Sequence, residues 1–364
     1  MSLRVVVAPD AFKGTIRADE AAAAIADGWL SVRSDDEVVL CPQADGGEGT
    51  LDAMRSAIPD AVVRSAGPVT GPDGRPVEGA WLELPDGTAV VELARSSGLP
   101  LMPHLAPMTA TTRGLGEVIA AALTHGASAL VIALGGSAST DGGLGALQAL
   151  GLDARDAGGR IVGPGAAGLA AVATLDASHL RMPPAGGVRL LTDVRSPLLG
   201  PRGASAVFGP QKGATPAQVQ ELELILRRWS QLAGGDPTVV GGGAAGGTAY
   251  GLAVLWGARI QPGAETIAHL TGLADAARDA DVLVTGEGRF DASSLEGKVV
   301  GHALGLPGER TRSIVIAGEA AHAAPAGAAL LALTEFAGSA ASAQREPGRW
   351  LRVAGAAAAR GVER

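Results

Sequence analysis

Five short stretches of this 364-residue chain mix glycine with acids, hydroxyls and the rare lysines. The first is Asp10-Ala11-Phe12-Lys13-Gly14-Thr15, a carboxylate, an ammonium and a hydroxyl on a turn before a helix. The second, Asp45-Gly46-Gly47-Glu48-Gly49-Thr50, threads glycines between two acids. Glycine lets backbone N–H groups approach a ligand closely, and a helix N-terminus favours anions. Asp45 and Glu48 could also hold Mg²⁺, which takes oxygen ligands. The third, Gly135-Gly136-Ser137-Ala138-Ser139-Thr140-Asp141-Gly142-Gly143, joins a strand to a helix in the manner of a phosphate cradle. It lacks the Gly-Lys-Ser/Thr ending of a Walker A loop. The fourth pairs Asp193, at a strand end, with Gln211-Lys212-Gly213 on a proline-stiffened loop. The fifth is Gly286-Glu287-Gly288-Arg289-Phe290-Asp291, followed by Ser294 and Lys298. It has two glycines of a dinucleotide fingerprint but not the third.

Lysine sharpens this inventory. Nearly every cation is arginine, and Lys13, Lys212 and Lys298 are the three lysines; each adjoins a glycine. An ammonium on a flexible stem sits among phosphate oxygens where a guanidinium fork does not fit. Amides and cations around phosphates, acids for Mg²⁺ and a carboxylate to orient an acceptor hydroxyl are what phosphoryl transfer demands. The histidines show no ligand spacing, and no zinc or cysteine–base pattern is present.

These groups need a scaffold to bring them together. Val5–Ala8, Val38–Leu40, Ala129–Leu134, 188–192, Val282–Val284, Ile314–Ile316 and Leu330–Leu333 read as strands. Helices are expected at 18–30, from about Gly47, around Leu115–Leu123 and at 216–233. Alternation of this kind implies a mostly parallel sheet covered on both faces, with ligands beyond the strands' carboxyl ends. Turn signals at Gly71-Pro72-Asp73-Gly74 and Pro85-Asp86-Gly87 instead predict antiparallel hairpins within 66–107. The length favours two domains.

Bulk composition limits the partners. Hydrophobic residues make up 47%, and 37 acids against 29 bases give a net charge of −8. That balance argues against nucleic acid or a membrane surface as partner. The lone Cys41 reads as a small buried apolar residue in a reducing compartment. With no leader pattern and no spanning run, a cytoplasmic protein is expected.

Asp10–Gly14, Ala44–Thr50, Gly135–Gly143, Val207-Phe208-Gly209-Pro210-Gln211-Lys212-Gly213, and Gly286–Asp291 with Gly297-Lys298 resemble the bacterial type 1 glycerate kinase family, the glycerate 2-kinases. The likeness runs over nearly the whole chain. It implies phosphorylation of D-glycerate by ATP with Mg²⁺, usually to 2-phosphoglycerate, by a monomer or homodimer. It also implies an α/β fold of two domains, a discontinuous flavodoxin-like parallel-sheet domain with a second mixed α/β domain inserted. On that reading residues 1–65, 108–150 and 271–364 form the first domain, 66–107 and 151–270 the second, and the active site lies in the cleft between them. Asp193 or Asp291 is the expected acceptor-orienting base, with Lys212 beside them as a catalytic residue. Asp45 and Glu48 are the metal candidates. Asp10, Lys13, Gly46, Gly47, Gly135, Gly136, Ser137, Thr140, Asp141, Gln211, Gly286, Glu287, Gly288, Arg289, Ser294 and Lys298 are the candidates for substrate and phosphate. Where the family commonly has Gln-Thr or Gln-Ser, this chain has Ser293-Ser294. A kinase for another small hydroxy acid and a non-catalytic nucleotide sensor are the alternatives.

Overall fold

A computed structural model describes residues 2–308 and 310–362. In chain order its strands are β1 (Arg4–Pro9), β2 (Glu37–Leu40), β3 (Val62–Thr70), β4 (Pro76–Glu83), β5 (Thr88–Glu92), β6 (Ala129–Ala133), β7 (Asp153–Arg155), β8 (Thr174–Asp176), β9 (Val188–Leu191), β10 (Arg259–Gln261), β11 (Val282–Phe290), β12 (Arg312–Ala320) and β13 (Ala328–Ala332). The chain divides into two compact units, one of residues 1–45, 52–59 and 262–364, the other of 46–51 and 60–261.

The first unit is built on a five-stranded sheet in the order β13-β12-β11-β1-β2, parallel throughout. Val5, Val6, Val7 and Ala8 are all buried, as a strand covered on both faces must be. Val5 and Val7 pack with Ile25, Trp29 and Leu351, while Val6 and Ala8 pack with Leu273, Leu283 and Ala303. The chain leaves β1 for β2 on one side and returns as β11 on the other. That reversal opens a crevice at the carboxyl ends of β1 and β11. Helix Ala18–Leu30 has the predicted bounds, with Ala21, Ile25 and Trp29 inward. Cys41 is buried.

The second unit carries a six-stranded sheet in the order β10-β9-β6-β5-β4-β3. β3, β4 and β5 form the expected antiparallel hairpins, whereas β5, β6, β9 and β10 run parallel. Because β6 pairs with β5 and β9, segment 108–150 belongs here and not with the first sheet, contrary to the sequence expectation. Residues 262–270, expected in this unit, fall in the first. Helix Pro216–Ala233 starts where expected, capped by Thr215 and buried through Leu222, Ile225, Leu226 and Trp229. Among the described residues no helix is long and apolar enough to cross a membrane.

Helices Ala18–Leu30 and Pro347–Val362 pack through glycines. A Cβ on Gly355 would lie 2.2 Å from the Ile25 carbonyl oxygen, and one on Gly28 would lie 2.0 Å from that of Arg352. Gly355→Val is therefore expected to push the helices apart and cost about 2–3 kcal/mol. A lowered urea midpoint at unchanged slope is the measurement that checks it.

Candidate active site

The first unit gathers two of the five stretches at its sheet reversal. The Asp10 amide donates to the Gly286 carbonyl at 2.8 Å, so the loop after β1 is tied to β11. β11 does not stop at Val284 but runs to Phe290, so Gly286-Glu287-Gly288 is strand and not loop. The missing side chains permit it: a Cβ on Gly286 would lie 2.1 Å from the Ile316 carbonyl oxygen of β12. Asp10, Lys13, Asp45, Glu287, Gly288, Arg289, Asp291 and Lys298 line one cavity of about 440 Å³.

Crowded acids set the electrostatics there. Loss of water, then the Asp45 and Glu287 charges, hold the Asp10 carboxyl well above the usual range. Burial also raises Glu287, against the hydrogen bond from Ser294 and the Lys298 charge. Glu287 Oε1 is buried with no hydrogen-bond partner. Asp291 behaves oppositely. Its carboxylate accepts from the Ser293 hydroxyl at 2.6 Å and the Ser293 amide at 2.9 Å, which holds its pKa low. Lys298 donates to the same hydroxyl at 2.8 Å. Ser293 thus links Asp291 to Lys298 at the position where glutamine is common. Ser294 is buried, and its hydroxyl accepts from the Asp291 amide at 2.9 Å. Arg289 is exposed, 3.9 Å from both Asp291 and Glu319.

Raised carboxyls and an orphaned oxygen are the conditions under which a cation is favoured. Among the described residues no three His, Cys, Asp or Glu side chains are grouped closely enough to hold a metal alone. Mg²⁺ does not require that, since it keeps several waters and is held by one or two carboxylates plus substrate phosphates. The donor set fits it.

The second unit gathers the remaining stretches at the carboxyl ends of β6 and β9. The helix after the second stretch begins at Thr50 rather than near Gly47, because Gly46 and Gly49 take positive φ and form a turn first. The turn lies directly against the cradle: the Gly135 amide donates to the Gly46 carbonyl at 3.0 Å, and a Cβ on Gly135 would fall 2.4 Å from Gly47 Cα. A Cβ on Gly46 would meet Leu191 Cβ at 2.9 Å. Asp193, half-buried, follows two residues later. Gly136, with φ of +76°, is exposed, as are Glu48 and Gln211.

Four side chains of this unit predicted to bind ligand or act in catalysis are buried instead: Ser137, Thr140, Asp141 and Lys212. Asp141 is fully buried, and its carboxylate accepts from the Thr112 amide and hydroxyl, both at 2.8 Å, and from the amides of Gly143 at 3.1 Å and Gly145 at 3.3 Å. It braces the loop and has no lone pair directed to a ligand. Thr140 is likewise enclosed. Lys212 is 2% exposed; its Nζ donates to Ser137 Oγ at 2.8 Å and to the Ser139 carbonyl at 2.5 Å. Burial pulls its pKa down to about 7, against the opposing field of Asp141. The glycines at 246 and 247 back this loop; a Cβ on Gly246 would lie 2.2 Å from the Ser139 carbonyl oxygen.

Glu92 escaped the sequence reading. It ends the wholly buried β5, and its carboxylate accepts from the amides of Gly49 and Leu51, each at 3.0 Å. An acid closing a buried apolar strand was the available signal. Removing the Asp141 brace tests this part of the site. Asp141→Ala leaves its buried donors unsatisfied and is expected to cost about 3 kcal/mol or more, read from urea unfolding.

Residues 5–362 match the model of the glycerate kinase family. The chain is 40% identical over 307 residues to glycerate 2-kinase of Escherichia coli K12, covering 82% of this chain and 80% of that one. It is 39% identical over 306 residues to glycerate kinase of Bacillus subtilis 168, covering 81% and 79%. A crystal structure of a protein assigned as glycerate kinase 2 from Salmonella typhimurium LT2 superposes with a TM-score of 0.86 at 34% identity, over 100% of this chain and 99% of that one. Extent and identity agree with the motifs: the chain belongs to the glycerate kinase family, whose members are phosphotransferases with an alcohol acceptor.

Proposed function

We propose that this protein transfers the γ-phosphoryl group of ATP to a hydroxyl of D-glycerate, giving 2-phosphoglycerate. The observation that supports it best is the 440 Å³ cavity of the first unit, where crowded carboxyls face Lys13, Arg289 and Lys298. Both signs of charge in one hollow suit a metal–phosphate pair beside an anionic acceptor.

Mg²⁺ would supply neutralisation of phosphate charge, held by one or two of the carboxylates Asp10, Asp45 and Glu287 with the substrate phosphates; Glu48 is the further candidate. Lys13, Arg289 and Lys298 bind phosphate and the acceptor carboxylate. Gly46, Gly47, Gly135, Gly136 and Ser137 cradle the nucleotide phosphates through backbone amides and one hydroxyl, flanked by Gln211. Asp193 is the preferred acceptor-orienting base, because Asp291 is held ionised by its two Ser293 bonds and is a weak proton acceptor. Lys212 acts through the loop that it supports.

Product identification by phosphorus NMR after incubation with D-glycerate, ATP and Mg²⁺ tests the proposal. A 2-phosphoglycerate signal is the expected result; no ADP release with this acceptor defeats it. A panel of other small hydroxy acids in a coupled ADP assay fixes the acceptor. Asp193→Asn is expected to lower kcat by roughly 10²–10⁴-fold, with little change in the KM for ATP.

A further inference from the structure

Lys212 sits on the turn Pro210–Lys212, which Gly213 closes with φ of +90°. Its amine is sealed beneath the loop that follows β6, in contact with Ser137 Oγ and the Ser139 carbonyl. A neutral amine has two N–H donors, and these two acceptors satisfy both. An ammonium adds a third proton and a full charge in a place without water, which is costly unless a negative charge arrives nearby. Ser137 connects the two circumstances. Its oxygen accepts from Lys212, which leaves its own proton free to donate, and the buried Ser137 directly follows half-buried Gly135 and exposed Gly136.

We propose that the loop takes up a proton when it binds a nucleotide: an anion at Gly135–Ser137 draws a solvent proton onto Lys212 Nζ, so that polyphosphate binding and charging of this lysine are one coupled event. The lone pair of the amine forms the new N–H bond, the proton comes from solvent, and no bond of the protein breaks. The inference rests on reading the loop as the phosphate cradle.

The surroundings leave few other groups to take the proton. Asp141 of the same loop is the charged group that acts on Lys212, and its oxygens are held by backbone and hydroxyl donors. Helix Ala204–Phe208, packed on the Lys212 turn, has no titratable side chain. Gly246, behind Ser139 and Thr140, lies in a run of glycine and alanine. Leu105 lies against Gly213, and its neighbour His104 is exposed. With Lys212 pulled down to about 7, the resting site is largely neutral at pH 8 and largely charged at pH 6. Binding of an anion raises the value, so uptake is large where the free site is neutral and vanishes where it is already charged.

Calorimetric titration of the intact enzyme with Mg·ADP, in buffers of different ionisation enthalpy, measures the protons directly. Wild type at pH 8 is expected to take up about one proton per nucleotide bound. At pH 6 the uptake falls to none, or reverses as the nucleotide phosphate sheds its own proton. Lys212→Met is expected to abolish the uptake at pH 8. Binding by wild type at pH 8 without uptake overturns the proposal, as does an equal uptake in Lys212→Met. The wild-type comparison stands even if the variant does not fold. Absence of any binding overturns the cradle reading itself, and this inference with it.

Discussion

A parallel strand buried on both faces has no surface to offer except its ends. Val5–Ala8 and Leu130–Ala133 are sealed on both sides, so chemistry in either unit is confined to the residues that follow them. Asp10 comes directly after β1, the glycines of the cradle after β6, and Asp193 after β9. Space at those ends is limited in turn by backbone, because Gly135 meets Gly47 and Gly286 meets β12 at distances that exclude a Cβ. The glycines are there to let main chain meet main chain, and the amides so exposed come as a by-product of that packing.

The two units handle charge in different ways. In the first, acids are crowded and cations stand around them, an arrangement short of positive charge. In the second, single ionisable groups are sunk behind the working surface. Asp141 gathers four donors and fixes the shape of a loop. Lys212 holds the same loop from another side with two bonds. Isolated buried ionisable groups are expensive. Their presence beneath one turn is understandable if the turn must keep its conformation when a highly charged ligand arrives.

Much of this was legible in the residues. The helix at 18–30 announced itself through Ala21, Ile25 and Trp29, and the one at 216–233 through its apolar stripe. The hairpins followed from two Pro-Asp-Gly turns. The motifs were found because glycine, acid and lysine coincided at strand ends. What stayed hidden was pairing and direction. A strand–helix–strand pattern does not say which sheet it joins, so segment 108–150 was assigned to the wrong one. A carboxylate in a glycine loop looks the same whether it faces ligand or interior, and Asp141 faces the interior. Ser293 read as the loss of an amide, yet its hydroxyl connects Asp291 with Lys298.

The order of strands in the first sheet also bears on how the chain is made. β11 lies at its centre, beside β1, and begins only at residue 282. During vectorial synthesis β1 and β2 leave the ribosome early and wait without their central partner, while residues 60–261 already contain every strand of the six-stranded sheet. Long-range pairing of this kind is slow and leaves unpaired edges open to wrong partners. Early folding of the second unit would gather the intervening chain into a compact loop and bring β11 nearer to its place. The unit that appears late in assembly is therefore the one whose first strand was made at the start.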